Sequence, residues 1–441
     1  MTLDRRTAFA VLVSGGLAVS TTLLLAVLPA PIGVGVDGLL LAWVAFTLWP
    51  WAVMPVGLLG GTIAAVLIGY SDVRSIVAIH GFILVSGGAG LVTRRALRFD
   101  PVAEPVARSY RAGLVLVCTT IAVGALYGLA AGNAVKDVAV AVYQLAVIPV
   151  YFLAAIYTLR SPRQRRHAFT LYVGVISALT ALEVFTPGRH GGLLGVLPIP
   201  ALIVLSGRAT GWRRAGLAVL AAGLSADVVL ASYRGIWIAG GIALVILLVR
   251  GGDDIRRGLV ATGVAGVAIL IIAVFGIGLS GGLGGRIAVV GEALGRDAGY
   301  RVPEARVGLD VFASRPLLGA GLGQSTRHRY IQGFTVTDVG PVYHSFYIVL
   351  LANLGLIGSC AVLWPIGTAA WTALATRESM PLALASITCG FLAAALVTGP
   401  TDGHWELGLL PALIVLTTQA GRSPTRRRPA QAPALVPAAA R

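Results

Sequence analysis

Runs of about 20 apolar residues recur along the whole chain, and this feature limits the possible folds more than any other. Each run is long enough to cross the hydrocarbon core of a bilayer as a helix. The runs are continuous rather than alternating, which excludes a transmembrane barrel. Charged residues make up only 12% of the chain, about half the fraction of a soluble protein. The sequence therefore predicts an all-α polytopic membrane protein.

Fourteen candidate spans can be placed, and the shortest apolar runs leave 12 or 13 crossings as alternatives. One long segment, residues 281–342, interrupts the spans and is predicted to lie on the outer face. We expect residues 1–421 to form the transmembrane domain and residues 422–441, rich in Pro, Ala and Arg, to be a disordered basic tail. The candidate spans lie near 8–30, 36–50, 53–70, 75–93, 112–131, 138–159, 168–186, 192–207, 215–231, 235–249, 258–280, 343–371, 382–398 and 406–420.

The net charge of +16 reflects membrane topology rather than nucleic-acid binding. With both termini inside, 23 of the 34 Lys and Arg fall in inner segments, and seven of the other eleven fall in the long outer loop. Short inner loops are thus rich in arginine and short outer loops contain few Lys or Arg, as the positive-inside rule requires. We predict a cytoplasmic-membrane protein with both termini in the cytoplasm.

Neither a metal centre nor another cofactor is predicted. Cys118, Cys360 and Cys389 all lie within apolar spans, where a thiolate metal site or a disulfide framework is not indicated. Several histidines fall outside and could meet Asp402 or Glu406, but no ligand spacing recurs among them.

Arg234 is the first candidate for chemistry, because it sits in a tight outer turn between two apolar runs. An arginine there could simply reach the lipid headgroups. An ionisable group at this depth is nevertheless a site candidate by default. Asp227 lies seven residues earlier, about two helical turns away on the same face, and could orient it.

The outer loop supplies further candidates around a short predicted helix, residues 303–314. Pro303 suits the first position of that helix and Pro316 follows its end. Arg301 then lies just ahead of a helix N-terminus, where backbone N–H groups favour an anion. A guanidinium matches phosphate oxygens in geometry, so this position suggests a phosphate cradle. Arg306 and Arg315 are weaker candidates, since either could be a solvated loop charge.

His344 follows the loop, at the start of a transmembrane run and next to Tyr343. A lone interfacial histidine is usually structural. The arginines of the preceding loop and a helix N-terminus suited to bind an anion make His344 a candidate general base. Between loop and helix, residues 319–323 read Gly-Ala-Gly-Leu-Gly, which lacks the spacing and setting of a nucleotide-binding motif. We interpret this stretch as a tight turn that re-enters the membrane surface.

These motifs resemble those of the O-antigen ligase and polymerase superfamily. Residues 232–237, Ser-Tyr-Arg-Gly-Ile-Trp, are similar to its Ser-Arg-Gly-x-Trp turn, with Tyr233 as an insertion. Residues 344–347, His-Ser-Phe-Tyr, with Leu-Gly-Leu-Ile-Gly at 354–358, resemble its His-Asn signature, with Ser345 in place of Asn. Arg301 and Arg306 resemble the loop arginines that precede its Pro-Leu-Leu-Gly-x-Gly-x-Gly stretch, here residues 316–323. The resemblance covers about residues 215–363.

The resemblance implies a C-type membrane glycosyltransferase that acts without a metal. Such an enzyme takes a glycan from an undecaprenyl-diphosphate carrier at the outer face and passes it to an acceptor hydroxyl of a glycan or glycolipid. His344 would be the catalytic base, Arg234, Arg301 and Arg306 would bind diphosphate, and Asp227, Tyr343 and Arg315 would support them. Ligases and polysaccharide polymerases share these motifs, so both remain open. The alternative from another class is a transporter or flippase of lipid-linked sugars, which should show polar groups at mid-membrane and internal repeats.

Overall fold

The computed structural model describes residues 40–57, 59, 73–96, 108–185, 195–230, 234–276, 304–324, 328–332, 335–339, 343–376, 378–398 and 404–422, and these are overwhelmingly helical. Arg301, Pro303, the first predicted span and the basic tail after Arg422 lie outside the described residues. In chain order the elements are α1 (Leu40–Leu48), α2 (Pro50–Gly57), α3 (Val73–Ala96), α4 (Arg108–Ala130), α5 (Val135–Thr158), α6 (Pro162–Phe185), α7 (Ile199–Arg208), α8 (Gly211–Leu230), α9 (Arg234–Arg250), α10 (Asp253–Gly276), α11 (304–314), β1 (His328–Gln332), β2 (Thr335–Val339), α12 (Phe346–Ala375), α13 (Ser379–Ala394) and α14 (Glu406–Arg422).

The helical membrane class is confirmed, although fewer helices than predicted have the full length of a span. Within the described residues, three helices are long and apolar enough to cross a bilayer: Tyr110–Ala130, Val135–Thr158 and Phe346–Ala375. A fourth crossing is possible if α1 and α2, bent by 115° at Trp49, form one broken span. Several other apolar helices are shorter, at 10–17 residues. The total of 12–14 crossings therefore stays a prediction.

Helix packing joins two groups of helices through α13. In the first group, α12, α13 and α14 pack on one another and on α4 and α5. In the second, α7, α8 and α10 pack together, and α13 contacts both α7 and α9. Fully buried side chains such as Tyr151, Phe346 and Leu350 fill the centre of the first group. The start of α12, which carries the histidine motif, is thus anchored in a rigid core.

The segment predicted to lie on the outer face contains more regular structure than the sequence predicts. Besides α11, it holds an antiparallel hairpin in which His328 pairs with Val339 and Gln332 pairs with Thr335. The two strands, HRYIQ and TVTDV, are short and show no strict alternation of apolar and polar residues, so pattern alone does not distinguish them from a loop. In the chain, the hairpin precedes Tyr343 and the start of α12.

The topology of this segment can be tested by cysteine labelling. In a variant that lacks the three native cysteines, a cysteine at Thr337 of β2 should react with a membrane-impermeant reagent added outside intact cells. A cysteine at Thr425 should react only after the cells are opened, because the arginine-rich C-terminus is predicted to lie inside. Labelling of both positions from the same side would contradict the predicted topology and the location of the site.

Candidate active site

His344 forms a short contact with a buried carboxylate. Its Nδ1 lies 2.7 Å from Oε2 of Glu304, the first residue of α11. The Glu304 side chain is 7% exposed, whereas the imidazole is 39% exposed. An ionised carboxylate can only accept a hydrogen bond, so a neutral His344 must carry its proton on Nδ1. Nε2 then keeps its lone pair, and the partly exposed ring can offer it to a substrate.

Glu304 is a candidate functional residue that the sequence alone did not indicate. It lies 40 positions before His344, in the first turn of a short loop helix. An acidic residue there is expected on local grounds alone, since it complements the helix dipole. Its second oxygen, Oε1, is buried and has no hydrogen-bond partner among the described residues. The sequence held one signal for such a residue: a histidine that acts as a base needs a partner that orients its ring.

Tyr343 packs α11 against the start of α12. It is 1% exposed and clusters with Val349 and Ala352 of α12, together with Val311 of α11. A Cβ added at Gly308 of α11 would lie 2.9 Å from the Tyr343 ring. This close packing fixes α11 along α12, and it therefore sets the distance between Glu304 and His344.

The glycine-rich turn, residues 316–323, is inserted into a break in α12. Gly355 has φ 62° and ψ −168°, which interrupts the helix. The turn satisfies backbone groups there: Leu356 N–H donates to the Pro316 carbonyl at 2.8 Å, and Gly321 N–H donates to the Asn353 carbonyl at 2.9 Å. Leu322 N–H also donates to Gly124 of α4 at 2.9 Å. The turn thus ties α11, α4 and α12 together and holds α11 beside His344.

Glycine is required in this turn for steric reasons. Gly319, Gly321 and Gly323 all have positive φ angles of 70–85°. A Cβ at Gly321 would lie 2.5 Å from the backbone of Gly128, far inside van der Waals contact. The motif therefore serves close backbone packing between the turn and α4.

The other predicted site residues are not all brought together. Arg234 is the first residue of α9. Arg306 is exposed on α11, two residues after Glu304. Arg315 lies beyond the far end of α11, where its guanidinium donates to the Tyr127 hydroxyl at 3.4 Å. Asp227 is half-buried on α8 and accepts a hydrogen bond from Thr180 of α6 at 3.3 Å.

A second histidine–carboxylate pair lies behind the first. His404 Nδ1 is 2.6 Å from Glu406 Oε1, both side chains are at least 90% buried, and the His404 ring packs edge-on against Phe346 with centroids 4.6 Å apart. No group of three or more His, Cys, Asp or Glu with metal-binding geometry occurs among the described residues. Through the ring contact with Phe346, this pair packs against the first residue of α12.

Comparison with known proteins agrees with the motifs. A search of curated proteins returns no match. Residues 217–363 match the family model described as O-antigen ligase. The matched segment begins before Asp227, contains Arg234, α11, the glycine-rich turn and the His344–Glu304 pair, and ends within α12. This segment, about a third of the chain, is therefore similar to the O-antigen ligase family.

Proposed function

We propose that the protein is a membrane glycosyltransferase that moves an undecaprenyl-diphosphate-linked glycan to an acceptor hydroxyl at the outer face of the cytoplasmic membrane. The His344–Glu304 pair, within the O-antigen ligase segment, carries this proposal. A hydroxyl becomes a good nucleophile when a positioned base takes its proton. Because the pair lies within the segment that matches the O-antigen ligase model, it favours the enzyme over the transporter alternative.

The reaction follows from the residues at the site. The acceptor oxygen attacks the anomeric carbon, the bond from that carbon to the diphosphate oxygen breaks, and the hydroxyl proton passes to Nε2 of His344. The product glycan forms, and undecaprenyl diphosphate leaves with the bonding electrons. Glu304 holds the imidazole in the required tautomer and stabilises the imidazolium that forms, in the way that the aspartate of a hydrolase triad does.

The leaving group gains negative charge as the bond breaks, and arginines are suited to stabilise it. We assign this role to Arg234 and Arg301, and also to Arg306, which is exposed on α11. Arg234 starts a helix, so the backbone N–H groups of the first turn of α9 add to the anion-binding potential. Asp227 is a candidate for orienting Arg234 from α8.

Lysine substitutions test the diphosphate assignment. Arg234→Lys and Arg301→Lys keep the charge but lose the two-pronged contact, so each should lower transfer strongly and leave protein abundance nearly unchanged. The measurement is transfer from a purified lipid-linked donor, with donor binding followed separately. Arg327→Ala is the matched control, because the sequence assigns Arg327 to the solvated part of the loop. If Arg327→Ala were as damaging as Arg301→Lys, the diphosphate assignment would be wrong.

A further inference from the structure

A groove separates the first turns of α8 and α10, away from the candidate active site. Its volume is about 700 Å³, and its floor is formed largely by small side chains, including Ala215, Ala218, Ala261 and Ala265. It extends from Gly211 to Val219 along α8 and from Arg256 to Ala268 along α10. At 1.5 Å per residue this is about 12–18 Å, which is the depth of one leaflet of the hydrocarbon core.

Arginines surround one end of the groove. Arg214 of α8 and both Arg256 and Arg257 of α10 line it. Both helices begin at this end, so two helix N-termini add positive potential to that of the side chains. Arg213 lies over the ring of Trp212, which is 80% exposed, with the guanidinium carbon 5.7 Å from the ring centroid. An exposed tryptophan is typical of the headgroup level of a membrane.

Within the part of the chain that the structure describes, not all of this positive charge is neutralised. Arg257 pairs with Asp254 at 2.5 Å, and Arg208 pairs with the same carboxylate at 3.3 Å. The hydrogen bond from Arg257 holds the pKa of Asp254 below its usual value, so this carboxylate stays charged and occupies both arginines. The exposed Arg256 guanidinium has no hydrogen-bond or ion-pair partner among the described residues. Among the described residues, the Arg214 side chain donates only to the Ala209 carbonyl, at 2.9 Å.

We propose that this groove binds an anionic phospholipid of the inner leaflet. One acyl chain lies along the alanine floor, and the phosphate contacts Arg214 and Arg256. A chain of one-leaflet depth with an anionic group at its end matches both the length of the groove and the placement of its charges. Basic pockets between transmembrane helices on the cytoplasmic side bind such headgroups. The site is distinct from that of the glycan donor, since Asp227 lies near the opposite end of α8.

Lipid binding to the purified full-length protein tests this proposal. After delipidation, phosphatidylglycerol should bind in native mass spectrometry, and phosphatidylcholine with the same acyl chains should bind far more weakly. The double variant Arg214→Gln/Arg256→Gln should lose about tenfold or more in phosphatidylglycerol affinity. Arg163→Gln on α6, which replaces an exposed arginine outside the groove, is the matched control and should bind as the wild type does.

Three further results would overturn the proposal. Equal binding of phosphatidylcholine would show that the arginines do not select the headgroup. Competition by millimolar inorganic phosphate, at full strength, would indicate a soluble-anion site instead. Ala265→Leu keeps every arginine but fills the floor, so it should weaken phosphatidylglycerol binding. Wild-type binding by this variant would contradict the placement of the acyl chain.

Discussion

His344→Gln is expected to lower the rate of glycan transfer by about a hundred- to ten-thousand-fold. The physical reason is that an amide of similar size can hydrogen-bond to Glu304 and to an acceptor hydroxyl, but it cannot take the proton at neutral pH. Binding of the lipid-linked donor should change little, because the diphosphate contacts are assigned to arginines. The measurement is single-turnover transfer from purified donor by the detergent-solubilised protein, with donor binding followed in parallel.

Glu304 variants separate the roles of the pair. Glu304→Ala removes the group that orients the imidazole and leaves a gap beside a buried position, so transfer should drop markedly although His344 is intact. Glu304→Gln keeps the shape and can still accept from Nδ1, so it should retain more activity than Glu304→Ala but less than the wild type. His328→Gln, on β1, is a control for the loss of a histidine from the same segment and should transfer normally.

Substantial turnover by His344→Gln would contradict the base assignment. His344 would then be a structural or acceptor-orienting residue. Normal transfer by Glu304→Ala would show that the short contact with His344 has no catalytic role. In that case the geometry that carries the proposed function would need another explanation.

Gly321→Ala is expected to destabilise the folded protein strongly, because Gly321 packs directly against the backbone of α4. The added Cβ would lie 2.5 Å from the Gly128 backbone, and neither main chain can move without breaking the hydrogen bonds of the turn. The positive φ adds about 1–2 kcal/mol of strain for an L-residue. Since total stabilities are about 5–15 kcal/mol, we expect a strongly lowered melting temperature and reduced abundance in the membrane.

Gly132→Ala is the matched control for backbone strain. Gly132 also has a positive φ, 86°, but a Cβ there meets nothing within 4 Å. It should therefore lose only the strain contribution and remain abundant and active. Thermal unfolding of the two purified variants, compared with the wild type, measures the difference. Equal melting temperatures for Gly321→Ala and Gly132→Ala would contradict the insertion of the turn between α4 and α12.

The fold class and part of the candidate site could be predicted from local patterns in the sequence. Continuous apolar runs require helices in a membrane, whatever their packing, so the fold class followed from composition and periodicity. The motif around His344 and the arginine-bearing turn at residues 232–237 pointed to the superfamily that residues 217–363 match. The interpretation of residues 319–323 as a tight turn also rested on local chemistry, because only glycine adopts positive φ readily.

Tertiary structure decided what those residues touch. Nothing local distinguishes Glu304 from any acidic residue in a first helical turn; it becomes the partner of His344 because Tyr343 and the glycine-rich turn fix α11 along α12. Likewise, the sequence of α12 predicts one uninterrupted apolar helix. The helix is broken at Gly355, and the glycine-rich turn supplies the hydrogen bonds that the helix loses there. Hydropathy is a property of segments. Which side chains contact one another depends on how closely segments that are distant in the chain pack together. Only the packed structure sets that distance.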